Sequence, residues 1–304
     1  MVPCTWTEWQ SESLEACVYD SAVISVIVPV RNGMPWLETQ LRALLEQECD
    51  EPWEVIVAEN NSTDQSGSVA REWINRFQVM RVVDASNARG PGGTRNAGVV
   101  EAMGDMLAFC DADDVVHQGW LSAHVAALAE ADISAGVFDY WSLNEQPAPS
   151  PSTYAPPPAM TLFHFLPAAG SGNLAIRRRA FEELGGFSDD LMTGEDFDLS
   201  WRSQLSGHRF VLNPDAVIAR RDQQGFVAVL RRYFAYGRCG PILFRRFQAD
   251  GLQRELILAA KTWGWLIASS PRLILPAYRD HWARTAGWRA GRLIQSAKLR
   301  ILFL

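Results

Sequence analysis

The chain has 304 residues, 48% hydrophobic and 21% charged, ordinary fractions for a globular protein that exclude disordered and collagen-like classes. Its formal charge of −7 speaks against general affinity for nucleic acid. That charge is unevenly spread: residues 231–304 carry 14 Arg/Lys against 3 Asp/Glu, so an acidic body precedes a basic tail.

Residues 1–22 read as a polar extension with scattered Trp6 and Trp9. Glu8, Glu12, Glu15 and Asp20 stand where a signal peptide needs basic and apolar regions, so a cytoplasmic location is expected. Val23–Val30 is a β-branched run stopped by Asn32-Gly33, the pattern of a strand buried on both faces. Pro35–Glu48 has helical spacing, Trp53–Ala58 reads as a second buried strand, and the turn cluster Glu59–Asp64 follows. Asp64–Phe77 is predicted helical and Val79–Val83 a third strand. Gly90-Pro91-Gly92-Gly93 reads as a turn leading into a helix over Thr94–Met103. Asp105–Cys110 is the fourth strand, ending in Asp111-Ala112-Asp113-Asp114. Three βα units in succession predict a parallel sheet with helices on both faces. Ligands of such sheets bind beyond the carboxyl ends of the strands. Pro29–Asn32, Glu59–Asp64 and Asp111–Asp114 are therefore expected to converge on one crevice.

The second half is patterned differently. Ile133–Val137 is a predicted strand, and six prolines within residues 147–158 mark a loop. Gly170–Ile176 reads as extended, Arg179–Leu184 as a helical turn, Glu195–Leu205 as a helix and Phe210–Ile218 as a strand. Beyond Asp222 the chain reads as helical and basic, with aromatics interleaved among arginines. That mixture suits either an interfacial anchor for an anionic membrane or a cap packed on the acidic body. The longest apolar stretch, Leu256–Ser270, is broken by Lys261 and too short to span hydrocarbon. Five cysteines (Cys4, Cys17, Cys49, Cys110, Cys239) have no metal-ligand spacing and read as reduced thiols.

Two acidic groups carry the chemistry. Asp111, Asp113 and Asp114 after an apolar strand repel one another unless a hard divalent cation such as Mg²⁺ or Mn²⁺ sits among them. The same residues also read as a solvated strand end or helix cap. Glu195 and Asp196 suit the first turn of a helix by charge alone. They equally suit a general base taking a proton from an attacking hydroxyl. Asn87–Asn96 is glycine-rich but matches neither phosphate-loop template, since it lacks GK[ST] and Arg95 replaces the third glycine of GxGxxG.

Taken together, Ser25–Asn32, Val55–Asp64, Gly90–Gly98, Phe109–Asp114 and Gly185-Gly186-Phe187 through Gly194-Glu195-Asp196 resemble the family 2 glycosyltransferases, over about residues 23–215. The resemblance implies a GT-A fold: an α/β, Rossmann-like, mostly parallel mixed sheet flanked by helices, here with a basic helical C-terminal extension. It divides residues 23–222 into a nucleotide-binding half (23–115) and an acceptor half (116–222), with a tail over 223–304. It implies inverting transfer of a sugar from a nucleotide-diphosphate donor (UDP, GDP or dTDP) to a glycan, lipid-linked or small-molecule acceptor.

By the same resemblance Pro29, Arg31, Asn32, Glu59 and Asn61 lie against the nucleotide, with Glu59 standing where the family usually has Asp. Arg89 or Arg95 approaches the nucleotide, Asp111 and Ala112 the ribose side, and Asn173 the sugar side. Asp113, with Asp111, holds the metal, and Asp114 is placed to share that role. Asp196 is the base, supported by Glu195. Arg220-Arg221 occupy the place where many relatives have a metal-ligating His, so either Arg220 contacts the diphosphate or metal dependence is weaker than usual; the former is expected, since a guanidinium fork suits phosphate. Two other readings stand beside this one. Gly92-Gly93-Thr94-Arg95 superficially matches a sugar nucleotidyltransferase signature, and an inactive module that binds a nucleotide-sugar or glycan shares the same motifs.

Overall fold

The computed structural model describes residues 24–144 and 160–303. The polar extension, the proline-rich segment, Cys4 and Cys17 lie outside the described residues. The first half is built from β1 (Ile24–Val30), α1 (Leu37–Leu45), β2 (Trp53–Glu59), α2 (Ser66–Trp73), β3 (Met80–Asp84), α3 (Gly90–Glu101) and β4 (Met106–Cys110). β1 pairs in parallel with β2 on one side and β4 on the other, and β3 pairs in parallel with β2. The buried run in β1 places Val26 and Val28 in one core cluster with Leu41, Val57 and Trp120. Ile27 points the other way, into a second cluster with Phe109, Phe181 and Phe187. A strand alternates its faces, so a run apolar at every position needs a core on each side.

The remaining elements complete the sheet. β5 (Val115–Val116), α4 (Trp120–Glu130) and β6 (Ile133–Asp139) are followed by the small hairpin β7 (Met160–Thr161) and β8 (Pro167–Ala168). Then come β9 (Asn173–Arg177), α5 (Arg178–Glu183), α6 (Glu195–Leu205) and β10 (Phe210–Ala219). The strand order is β3-β2-β1-β4-β9-β6-β10-β5. β9 runs antiparallel to both β4 and β6, and β5 antiparallel to β10, so the sheet is mixed.

One element differs from the sequence reading. The glycine-rich stretch is not a turn before the helix but its first turn, since α3 starts at Gly90 with Pro91 near its N-terminus. The reason is space. A Cβ at Gly92 would lie 3.0 Å from the Glu195 side chain and 3.1 Å from that of Phe187, so glycine lets α3 sit this close to both without displacing them.

The tail forms α7 (Phe226–Phe247), α8 (Leu256–Ser269), a 3-10 turn at Ser270–Ile274 and α9 (Pro276–Leu299). α7 and α9 pack backbone to backbone. A Cβ at Gly237 would fall 2.1 Å from the Trp288 carbonyl oxygen, and one at Gly291 2.1 Å from that of Phe234. A third apolar cluster joins this pair to the body, with Cys239, Leu243, Phe244 and Phe303 packed against Leu191, Trp201 and Phe163. Of the described cysteines, Cys49, Cys110 and Cys239 are free thiols, and burial pushes the last two well above the ordinary thiol range.

Candidate active site

The turns after β1 and β2 are laced together. Asn32 accepts the Thr63 N–H at 2.7 Å, while the Gly33 N–H donates to Ser66 Oγ at 2.8 Å and that of Met34 to Asp64 at 3.1 Å. Asn32 and Asn61 both adopt left-handed backbone, a conformation asparagine tolerates better than most residues. Against these turns lies a cavity of about 470 Å³ lined by Pro29, Arg31, Asn32, Arg95, Asp111, Ala112 and Asp113. A second cavity, of about 780 Å³, shares Trp36 and Asp113 with the first and adds Asn144, Arg221 and Arg232.

Asp111, Asp113 and Asp114 each present an oxygen, all within 4.8 Å of one another. Burial, together with the charge of Asp111, raises the pKa of Asp113 and pushes Asp114 up to about 8. Asp114 also accepts the Arg221 N–H at 2.8 Å. An all-oxygen donor set whose members resist ionising side by side fits a hard divalent cation, which removes the repulsion. Gly172 makes room for the set: a Cβ there would lie 2.5 Å from Asp111 Oδ2.

Glu195 and Asp196 open α6, where the helix N-terminus favours negative charge. Gly194, in left-handed backbone, packs against Cys239 of α7 and sets the entry angle. Burial, and then the neighbouring Asp196, pushes Glu195 up to about 7, against the opposing pull of Arg95. Burial also raises Asp196, whose oxygens accept the Phe197 N–H at 2.9 Å and the Ser171 N–H at 3.4 Å.

Arg95 ties the two acidic groups together. It is 2% exposed, and its guanidinium reaches Asp111 at 2.5 Å and Glu195 at 3.2 Å. Ser171 Oγ donates to the same Glu195 oxygen at 3.1 Å. The metal-type cluster and the candidate base therefore belong to one connected site.

Other sequence-predicted residues sit elsewhere. Glu59 turns back to accept the Ser62 N–H at 2.6 Å, and Asn61 donates to the Ser86 carbonyl at 2.7 Å. Arg89 is exposed just before α3, and neither it, Glu59 nor Asn61 lines the two cavities. Asn173 is expected, by resemblance, in a segment on the sugar side. It is fully buried, accepting from Trp120 Nε1 at 2.9 Å and donating to the Val137 and Ala216 carbonyls at 2.8 and 3.0 Å. With its hydrogen bonds spent on β6, β10 and α4, it braces the sheet.

Arg220 packs its guanidinium over the Phe138 ring at 4.7 Å and makes no hydrogen bond or ion pair through that group with the described residues. Burial opposes its charge, but Tyr140, Tyr236, Asp114 and Asp111 more than offset this and raise its pKa. Its charge in turn favours ionisation of Asp113, Asp114 and Asp196. Arg232 on α7, which sequence reasoning assigned only to the basic tail, also acts on Asp113. No local pattern marks it, because its proximity comes from the packing of α7.

Comparison with known proteins agrees with this architecture. The glycosyltransferase AglE of Haloferax volcanii is 26% identical over 242 residues, 78% of this chain and 78% of that protein. The pre-mycofactocin glycosyltransferase of Mycobacterium tuberculosis is 25% identical over 264 residues, 81% of this chain; the chain spans 52% of that longer relative. Among solved structures, the mannosyltransferase PcManGT from Pyrobaculum calidifontis, in complex with GDP-Man and Mn²⁺, is similar with a TM-score of 0.65 at 20% identity, covering 90% of this chain and 87% of that one. TarS from S. aureus in complex with UDP-GlcNAc gives a TM-score of 0.53 at 17% identity, covering 92% and 93%. The fold is GT-A. Residues 25–185, more than half of the chain, match the model for glycosyl transferase family 2, and the protein is a glycosyltransferase belonging to that family.

Proposed function

We propose that the chain transfers a sugar from a nucleotide-diphosphate donor to an acceptor hydroxyl by a single inverting displacement, with Asp196 as the general base. The observation that carries this reading is the Arg95 bridge, which links Asp111 to Glu195 and so joins a cation-type carboxylate cluster to a buried acid pair. Pro29, Arg31 and Asn32 line the cavity that would take the nucleotide, and Asp111 and Ala112 would face the ribose. Arg220, with its hydrogen-bonding capacity unspent, would meet the diphosphate. Asp113 and Asp111, with Asp114 beside them, would hold Mg²⁺ or Mn²⁺, which when bound neutralises charge on the leaving diphosphate.

The protein's own work is placement and proton transfer. Burial raises Asp196, bringing a carboxylate closer to the pKa at which it can accept a hydroxyl proton near neutral pH. Arg95 and Ser171 both engage one oxygen of Glu195, which suits it to a supporting role beside Asp196. Donors carrying UDP, GDP or dTDP, and glycan, lipid-linked or small-molecule acceptors, fit the reading. Asp196→Asn is expected to retain donor binding in calorimetry while turnover falls by about 10²–10⁴-fold. Wild-type turnover by that variant, across a donor panel with Mn²⁺, would refute the assignment.

A further inference from the structure

We propose that Arg254–Arg279 is a surface-binding element that lies in the headgroup layer of an anionic bilayer. The structure divides the basic tail into parts with different surroundings. α7 and α9 are locked together and onto the body. α8 has one packed side and one open side.

On the packed side Ala259, Leu266 and Ser269 are buried. Trp282 Nε1 donates to the Leu266 carbonyl at 3.1 Å, and Arg289 to Thr262 Oγ1 at 2.9 Å, fixing α8 on α9. The open side carries Ile257, Ala260, Gly264 and Ile267, and beyond α8 Ile274, at the end of the 3-10 turn, and Leu275, just after it, are exposed as well. Ile257 is 75% exposed, Ile267 74% and Ile274 80%. Single exposed apolar residues are ordinary, but a helical row of them is the mark of an interaction surface.

The charges around the row select its occupant. Arg254, Lys261, Arg272 and Arg279 are all exposed, and Glu255 is the one acidic residue between positions 254 and 279. Among the described residues none of these four cations pairs with a carboxylate; Arg254 and Arg272 rest over the rings of Phe244 and Tyr278. Arg279 donates to the Leu273 and Ile274 carbonyls at 2.9 and 3.4 Å, so its charge too is left without a counter-charge. An apolar strip rimmed by cations that lack a carboxylate partner complements anionic headgroups above acyl chains. A second copy meeting the same face would bring like charges together, which disfavours that partner.

Length sets the orientation. The 14 residues of α8 extend about 21 Å at the α-helical rise, short of a hydrocarbon core of about 30 Å. No described helix is long and apolar enough to cross a membrane. The element therefore lies along the surface, with Trp263 and Trp265, both half-buried, at the depth such side chains prefer.

Flotation of the full chain with phosphatidylcholine vesicles, with and without phosphatidylglycerol, tests the proposal. Binding is expected to anionic vesicles, to weaken with added salt, and to fall at least about tenfold in the triple variant Ile257→Glu, Ile267→Glu, Ile274→Glu. Donor binding by that variant should stay at the wild-type level, which separates loss of the membrane surface from loss of the fold or of the sugar-transfer reading. Hydrogen exchange on the unaltered chain should slow within residues 254–279 when anionic vesicles are added. Failure of the wild type to float, undiminished flotation of the variant, or unchanged exchange would each overturn it. So would a wild-type dimer that the triple variant dissolves, since the face would then belong to a second copy.

Discussion

Replacing Arg95 by Met removes a cation that serves two carboxylates at once. The side chain is 2% exposed and reaches Asp111 at 2.5 Å and Glu195 at 3.2 Å. Taking one partner from a buried pair costs about 3–5 kcal/mol, because the remaining charge stays desolvated. Glu195 can escape that cost by keeping its proton. Burial and Asp196 already hold it at about 7, and Arg95 works in the opposite direction, so the variant's Glu195 moves higher still. The loss should therefore be larger at pH 8.5, where deprotonation is demanded, than at pH 6. Glu195→Gln in the Arg95→Met background should recover about 1–3 kcal/mol, a range normal for coupling between touching groups. Urea unfolding followed by circular dichroism, run as a double-mutant cycle at both pH values, measures each quantity. Single-variant costs that add to within about 0.5 kcal/mol at both pH values would show that the bridge carries no coupling, and the reasoning would fail.

Arg220→Ala should raise the donor KM by about 10–100-fold, the usual value of charge-assisted hydrogen bonds to phosphate; steady-state kinetics with an unchanged KM would remove Arg220 from the diphosphate. His124 is fully buried, with Nε2 donating to Asn173 Oδ1 at 3.1 Å and Nδ1 accepting from Ser134 at 2.9 Å, and burial lowers its pKa to about 4. Below pH 6.5 the unfolded chain gains a proton that the folded chain refuses, so stability falls as pH drops towards 4, by about 1.4 kcal/mol per unit. His124→Gln should lose about 2–3 kcal/mol less than wild type between pH 7 and pH 4.5, read from urea midpoints. Gly291→Ala should cost about 1–3 kcal/mol despite alanine's better helix propensity, because its Cβ would meet the Phe234 carbonyl at 2.1 Å; a raised melting temperature would contradict the backbone contact.

Periodicity alone located the first four strands and their helices, because each is apolar on both faces or at helical spacing, signals that need no tertiary context. The convergence of Pro29–Asn32 with Asp111–Asp113 was equally legible, since a parallel sheet dictates which turns share an edge. The start of α3 was not. Glycine is a poor helix former by propensity, and its reason for being there is the side chain of Glu195, about a hundred positions away in the sequence. The same separation hid the Arg95 bridge and the bracing role of Asn173, whose partners come from α4, β6 and β10. The tail does carry a sequence signal of its own. Gly237, with Gly287 and Gly291 four residues apart on the next long helix, is the small-residue spacing that lets two helices touch through their backbones.

That touch reaches further than the tail. α7 presents Cys239 to Gly194, receives the Thr193 hydroxyl on its Ala235 carbonyl at 3.0 Å, and brings Arg232 to bear on Asp113. α9 is what α7 leans on. Shortening the chain ahead of residue 276 would leave α7 without its backing and loosen a wall of the candidate site, even though no removed residue lines its two cavities. The residues from 276 onward thus act as a buttress, and a truncated chain should fail in positioning its acidic groups before it fails to fold.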